Sequence, residues 1–147
     1  MRQITEIIIH CSATPEGRDY TVADIDRWHR ARGFRQIGYH YVIYRDGSIH
    51  IGRPLNEAGA HCQGHNAHSI GICYIGGLAK DGRTRKDTRT PEQRNSLRTL
   101  LHQLREDYPL ATIHGHYEFA PKACPCFDAA SEYQDLQPKY NPFPTTD

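Results

Sequence analysis

The sequence predicts an α/β fold, a single domain with a mixed central β-sheet flanked by helices. Three observations predict it. Short apolar runs rich in β-branched residues alternate with stretches of helical periodicity. Each helical stretch opens on a capping signal. The 147 residues suit one domain with its own core, and no internal repeat or low-complexity segment divides them, so one domain is expected over 1–147.

Each element follows from local features. Ile4 to His10, nearly continuous in isoleucine, reads as a buried strand. Thr21 caps a first helix, with Asp24 at the capping-box position and Gly33 after its end. Val22, Ile25 and Trp28 recur near helical spacing, so Trp28 is expected as a core anchor. Tyr39 to Tyr44 reads as a second strand, and Asp46-Gly47 turns it into Ser48 to Ile51 as a hairpin. Ser69 to Ile75 is another apolar strand, ended by Gly76-Gly77. Thr90-Pro91-Glu92-Gln93 combines a cap, an early proline and a capping-box glutamine. Leu97, Leu100, Leu101 and Leu104 mark one face of the helix it opens, and Pro109 follows its end. Ala111 to His114 reads as a last short strand, and the tail after Tyr133, with Pro138, Pro142 and Pro144, as irregular.

Charge and composition exclude several classes. Eighteen basic residues against 17 acidic ones give a net charge of +1, with no general attraction to nucleic acid or an acidic membrane surface. No segment approaches the ~18 continuous apolar residues of a membrane helix. Between Lys80 and Arg89, the cations Lys80, Arg83, Arg85, Lys86 and Arg89 face only Asp81 and Asp87, which reads as a solvated loop turning at Gly82. The N-terminal apolar run is too short for a signal peptide and Glu6 interrupts it, so cytoplasmic synthesis is expected. Five cysteines, an odd number, point to thiols or metal ligands rather than a disulfide framework. Ten histidines are the unusual count.

Those histidines and cysteines suggest a metal. Zinc takes nitrogen and sulfur ligands, and catalytic zinc keeps three from the protein and one open position. His10 ends the first strand; His114 and His116 follow the last; Cys124 and Cys126 come soon after. An extended chain would turn His114 and His116 to one face, so the residues alone leave both open. Pro125 separates Cys124 from Cys126, and one of these thiols is expected to reach a given metal. Taken alone, a histidine ending a strand is more often a hydrogen-bonded surface group than a ligand, and a lone cysteine more often a small buried hydrophobe. Tyr39 and Lys122 offer a phenol and an ammonium able to hydrogen-bond a developing oxyanion.

Longer strings carry a resemblance. Ile9-His10-Cys11-Ser12-Ala13-Thr14, Ile37-Gly38-Tyr39-His40-Tyr41-Val42-Ile43 and Arg45-Asp46-Gly47 form three blocks. Asn66-Ala67-His68-Ser69-Ile70-Gly71-Ile72 and Ala120-Pro121-Lys122-Ala123-Cys124-Pro125, completed by Phe127-Asp128, form two more. In this order, over about 4–133, they resemble the type-2 N-acetylmuramoyl-L-alanine amidases, a family that includes the animal peptidoglycan recognition proteins.

The resemblance implies one zinc ion held by His10, His116 and Cys124, with His116 fixed by its register to Cys124. It implies catalytic roles for Tyr39 and Lys122, and it matches His61 to a cleft histidine that contacts substrate. His114 and Cys126 then become ordinary structural residues, although a phage member has serine where Cys126 stands. The implied reaction hydrolyses the amide between the lactyl group of N-acetylmuramic acid and L-alanine of the stem peptide. The implied partner is peptidoglycan or a muropeptide, bound by a monomer, with action on the wall after release or export by a route other than a signal peptide. Two other readings stand beside it. One is a non-catalytic peptidoglycan-binding module, against which the full set of His10, His116, Cys124, Tyr39 and Lys122 argues. The other is an added regulatory role with a protein partner, such as the RNA polymerase inhibition of a phage family member.

Overall fold

A computed structural model describes residues 2–139. Four parallel strands and one antiparallel edge strand make the main sheet. Strands β1 (Glu6–Cys11) and β5 (Ser69–Tyr74) lie at its heart, which is why both are buried along nearly their whole length. Strand β7 (Thr112–Gly115) pairs with the other side of β1, while β3 (Tyr41–Ile43) pairs with β5. Strand β4 (Ile49–Ile51) returns antiparallel on β3 through the turn at Gly47, whose φ of 89° suits glycine, so the hairpin forms as expected. The order is β4-β3-β5-β1-β7. A second, two-stranded sheet of β2 (Thr14–Pro15) and β6 (Gly77–Leu78) had no signature in the sequence.

Helix α2 (Pro91–Asp107) covers one face. Its N-terminus is closed by Thr90 and Gln93 in a full capping box. Leu97, Leu100, Leu101 and Leu104 pack with Ile7 and Ile9 of β1, Ile70 and Ile72 of β5, and Ile113 of β7. Helix α1 (Val22–Ala31), capped by Thr21 with Asp24, contributes Ile25 to a smaller cluster with Ile37, Val42 and Ile75 on the opposite side. Alternation along β1 therefore sends Ile7, Ile9 and Cys11 towards α2, and Ile8 and His10 towards the other face.

Four expectations need correction. Trp28 is only half-buried, stacked edge-on against Tyr20; His29, four residues after Ile25, takes the buried position on α1. The second strand is shorter than Tyr39 to Tyr44, and Tyr39 lies before it in a loop. Arg89 is not solvated: its side chain is fully buried, paired with Asp87 and Glu132 and stacked 3.3 Å over the Phe127 ring. The chain after Tyr133 makes a 3-10 turn at Gln134–Leu136 that buries Leu136; before it, α3 (Ala129–Glu132) is a short helix the sequence did not announce. Pro142 and Pro144 lie outside the described residues. Among the described residues no helix is long and apolar enough to cross a membrane.

Candidate metal centre

Strand register assembles the site. β1 and β7 run parallel with Ile9 opposite Gly115, so the next residues along each strand, His10 and His116, emerge side by side at the carboxyl ends. Their ring centroids are 4.5 Å apart. His114 pairs with Ile8, one step back along the strand from Gly115, while His116 lies beyond the strand's end in a 3-10 turn at His116–Glu118, so His116 stands beside His10 and His114 does not. His114 instead meets Thr112 Oγ1 at 2.7 Å and Glu118 Oε1 at 3.0 Å. The following loop folds back, with the Tyr117 N–H donating to the Cys124 carbonyl, and this brings Cys124 beneath the two histidines. One ligand atom each from His10, His116 and Cys124 lies within 4.8 Å of the others, and all three residues are buried. The Cys11 N–H donates to Cys124 Sγ at 3.1 Å. The Cys126 thiol faces elsewhere, towards the Gly77 carbonyl at 3.3 Å.

Electrostatics favours neutral histidines here. Burial, then the neighbouring His61, His116 and Lys122, pushes His10 well below the ordinary histidine range. Burial and the Lys122 charge lower His116 as well. Burial pushes the Tyr39 phenol well above its ordinary value, so it stays protonated. Its ring centroid is 5.1 Å from that of His10.

A cleft of about 730 Å³ opens beside the cluster, with His116 in its lining. Tyr39, His61, His116 and Lys122 all line it, so the structure brings the sequence-predicted residues together. His29, Arg32 and Phe34 form one wall and were not singled out in the sequence. For His29 a signal existed: it continues the Val22, Ile25 face at helical spacing. Its Nδ1 accepts the Gly38 N–H at 2.8 Å, and burial holds its pKa down to about 4. Arg32 is exposed, its guanidinium 5.1 Å from the centre of the Phe34 ring.

A family profile described as N-acetylmuramoyl-L-alanine amidase matches residues 1–127. The chain belongs to that family. It is 43% identical over 122 residues to the endolysin of Escherichia phage T7, covering 83% of this chain and 80% of that one. Among solved structures it resembles the N-acetylmuramoyl-L-alanine amidase LysC from Clostridium intestinale URNW, with a TM-score of 0.75 and 29% identity over 92% of this chain and 83% of that one. Drosophila PGRP-LB superposes with a TM-score of 0.75 at 25% identity, covering 99% of this chain and 88% of that one. The fold class read from the sequence is the fold of these two solved structures. The protein is an N-acetylmuramoyl-L-alanine amidase, and its reaction is cleavage of a peptidoglycan amide bond.

Proposed function

We propose that this amidase works with one zinc ion held by His10, His116 and Cys124, and that Tyr39 and Lys122 are its catalytic groups. The convergence of two imidazoles and one thiol within 4.8 Å of one another, at a point where His116 lines the cleft, carries the reading. The donor set suits zinc, and three protein ligands leave the fourth position that catalysis requires. Neutral imidazoles are the ligating form, and burial keeps both rings in it. When bound, zinc supplies Lewis acidity and lowers the pKa of a water molecule to about 7.

The chain's own groups supply the rest. As the amide carbon becomes tetrahedral, negative charge grows on its oxygen. The protonated Tyr39 hydroxyl donates a hydrogen bond to that charge. The Lys122 ammonium, on an exposed loop two residues before Cys124, adds a cation at the cleft and delivers a proton to the departing amine. Among the described residues Arg32 and Lys122 line the cleft and no carboxylate does, which favours an anionic stem peptide. Likeness to a Drosophila recognition protein supports muropeptide as the ligand.

Metal analysis beside a stem-peptide release assay tests the reading. The parent is expected to carry one zinc per chain and release peptide. Cys124→Ala should lose the metal and at least ~100-fold in rate, since even outer-shell partners of a metal are worth 10–100-fold. A Cys124→Ala variant that cleaves as fast as the parent would sink it. Running intact sacculi beside soluble muropeptides separates wall lysis after release from recycling of cytoplasmic fragments.

A further inference from the structure

His61 lines the cleft, yet both of its ring nitrogens are engaged inside the protein. Nδ1 lies 2.8 Å from His10 Nε2, and Nε2 lies 3.1 Å from Ser69 Oγ. The ring has little freedom. A Cβ on Gly59 would come within 2.7 Å of its Cδ2, and a Cβ on Gly71 within 2.6 Å of the same atom. The backbone is pinned too: Asn66 Oδ1 accepts the N–H groups of His61 and Cys62. Arg2 fastens the loop on both sides through the carbonyls of Leu55, Asn66 and Ser69. So much fixing of one imidazole calls for a reason beyond packing.

His10 provides it. Its Nε2 is taken by His61, while its Nδ1 has no partner among the described residues. Among the described residues no fully buried side-chain nitrogen or oxygen is left without a partner, so Nδ1 is not wholly sealed in, and His10 shares its metal-ligand cluster with His116 of the cleft lining. We propose that His61 is a positioning residue for the metal centre: it accepts the Nε2–H of His10 and so presents that ring's Nδ1 to the metal. A metal-bound imidazole is neutral and carries its one proton on the other nitrogen. The direction of the chain is then set. His10 Nε2–H donates to His61 Nδ1, His61 carries its own proton on Nε2, and that proton points to Ser69 Oγ. The inference rests on the zinc reading above and assigns the liganding atom of His10.

Zinc affinity, measured by competition with a chelating dye on the full chain, tests it without reference to activity. His61→Ala should weaken zinc binding 10–100-fold, the range for outer-shell partners. His61→Asn should recover most of that loss, because its Oδ1 stands where Nδ1 stood and still accepts from His10. Nitrogen-15 NMR of the zinc-loaded parent should find His10 protonated on Nε2. His61→Ala binding zinc as tightly as the parent overturns the inference. So does His61→Asn being as weak as His61→Ala, which would mark the loss as one of packing, and so does a His10 proton on Nδ1. A parent that binds no zinc fails differently, since it removes the zinc reading itself.

Discussion

At the scale of single residues, the site depends on protonation states that burial sets. Tyr39 is held as a phenol and His10 as a neutral ring, both by removal from water. If Tyr39 donates to the developing oxyanion, Tyr39→Phe should lower kcat by 10²–10³-fold, the usual effect of removing one such donor. Zinc content should be unchanged, because the phenyl ring keeps its packing against His10. A variant with parental kcat would move Tyr39 to a packing role. Residue chemistry offered Tyr39 as an oxyanion donor, and its Gly-Tyr-His block supplied the catalytic role. Local patterning had placed it inside a strand, and the loop position that frees it for the cleft depends on how Ile37 and Gly38 are held. The Ile37 N–H donates to Asp26 and the Gly38 N–H to His29, both contributed by α1.

At the scale of elements, the N-terminus of α2 joins capping to tertiary structure. Gln93 Oε1 accepts the Thr90 N–H, as a capping box requires. Its amide nitrogen also donates to the carbonyls of Ile43 and Ile75, each at 3.1 Å, where β3 and β5 end. Thr90→Ala should cost about 1 kcal/mol by losing the cap. Gln93→Leu should cost more, about 2 kcal/mol, because it also leaves the Ile75 carbonyl without its donor, while the Ile43 carbonyl keeps the Ile75 N–H. Urea denaturation of the two variants checks the order; equal losses would show that the link to the sheet contributes nothing. The sequence announced the box through Thr90, Pro91 and Gln93. It could not announce the second use of Gln93, because the carbonyls lie 50 and 18 residues away.

At the scale of the whole molecule, Arg89 ties the loop before α2 to the C-terminal α3. It bonds Asp87 and Glu132 and stacks on Phe127, three residues after Cys124. Hydrogen bonding to Arg89 holds Glu132 below the usual carboxylate range. Burial alone would raise Asp87, but the Arg89 hydrogen bonds and charge prevail and lower it. A carboxylate lowered by folding contributes stability that is complete above its unfolded pKa, about 4, and disappears as pH falls through the folded value. Glu132→Gln should therefore be less stable than the parent at about pH 7, with the difference narrowing as pH falls below about 4. Urea midpoints across that range read it directly, and a difference independent of pH would exclude a charge-based link. The basic run had seemed solvated because the acids that bury Arg89 include one from a helix 43 residues on.

The sequence by itself determined the two long helices with their caps, the strands of the main sheet and the residue types available for a metal, because periodicity and capping are written in contiguous residues. The family blocks added which histidines and which thiol to expect. Tertiary structure alone decided that His116, rather than His114, stands beside His10. The Ile9–Gly115 register sets the two residues abreast, and the chain leaves the sheet directly after Gly115. It alone turned Cys126 aside to Gly77 and joined His61 to His10. These choices rest on contacts between segments about 50 to 110 residues apart, which strand register fixes and local patterning does not record.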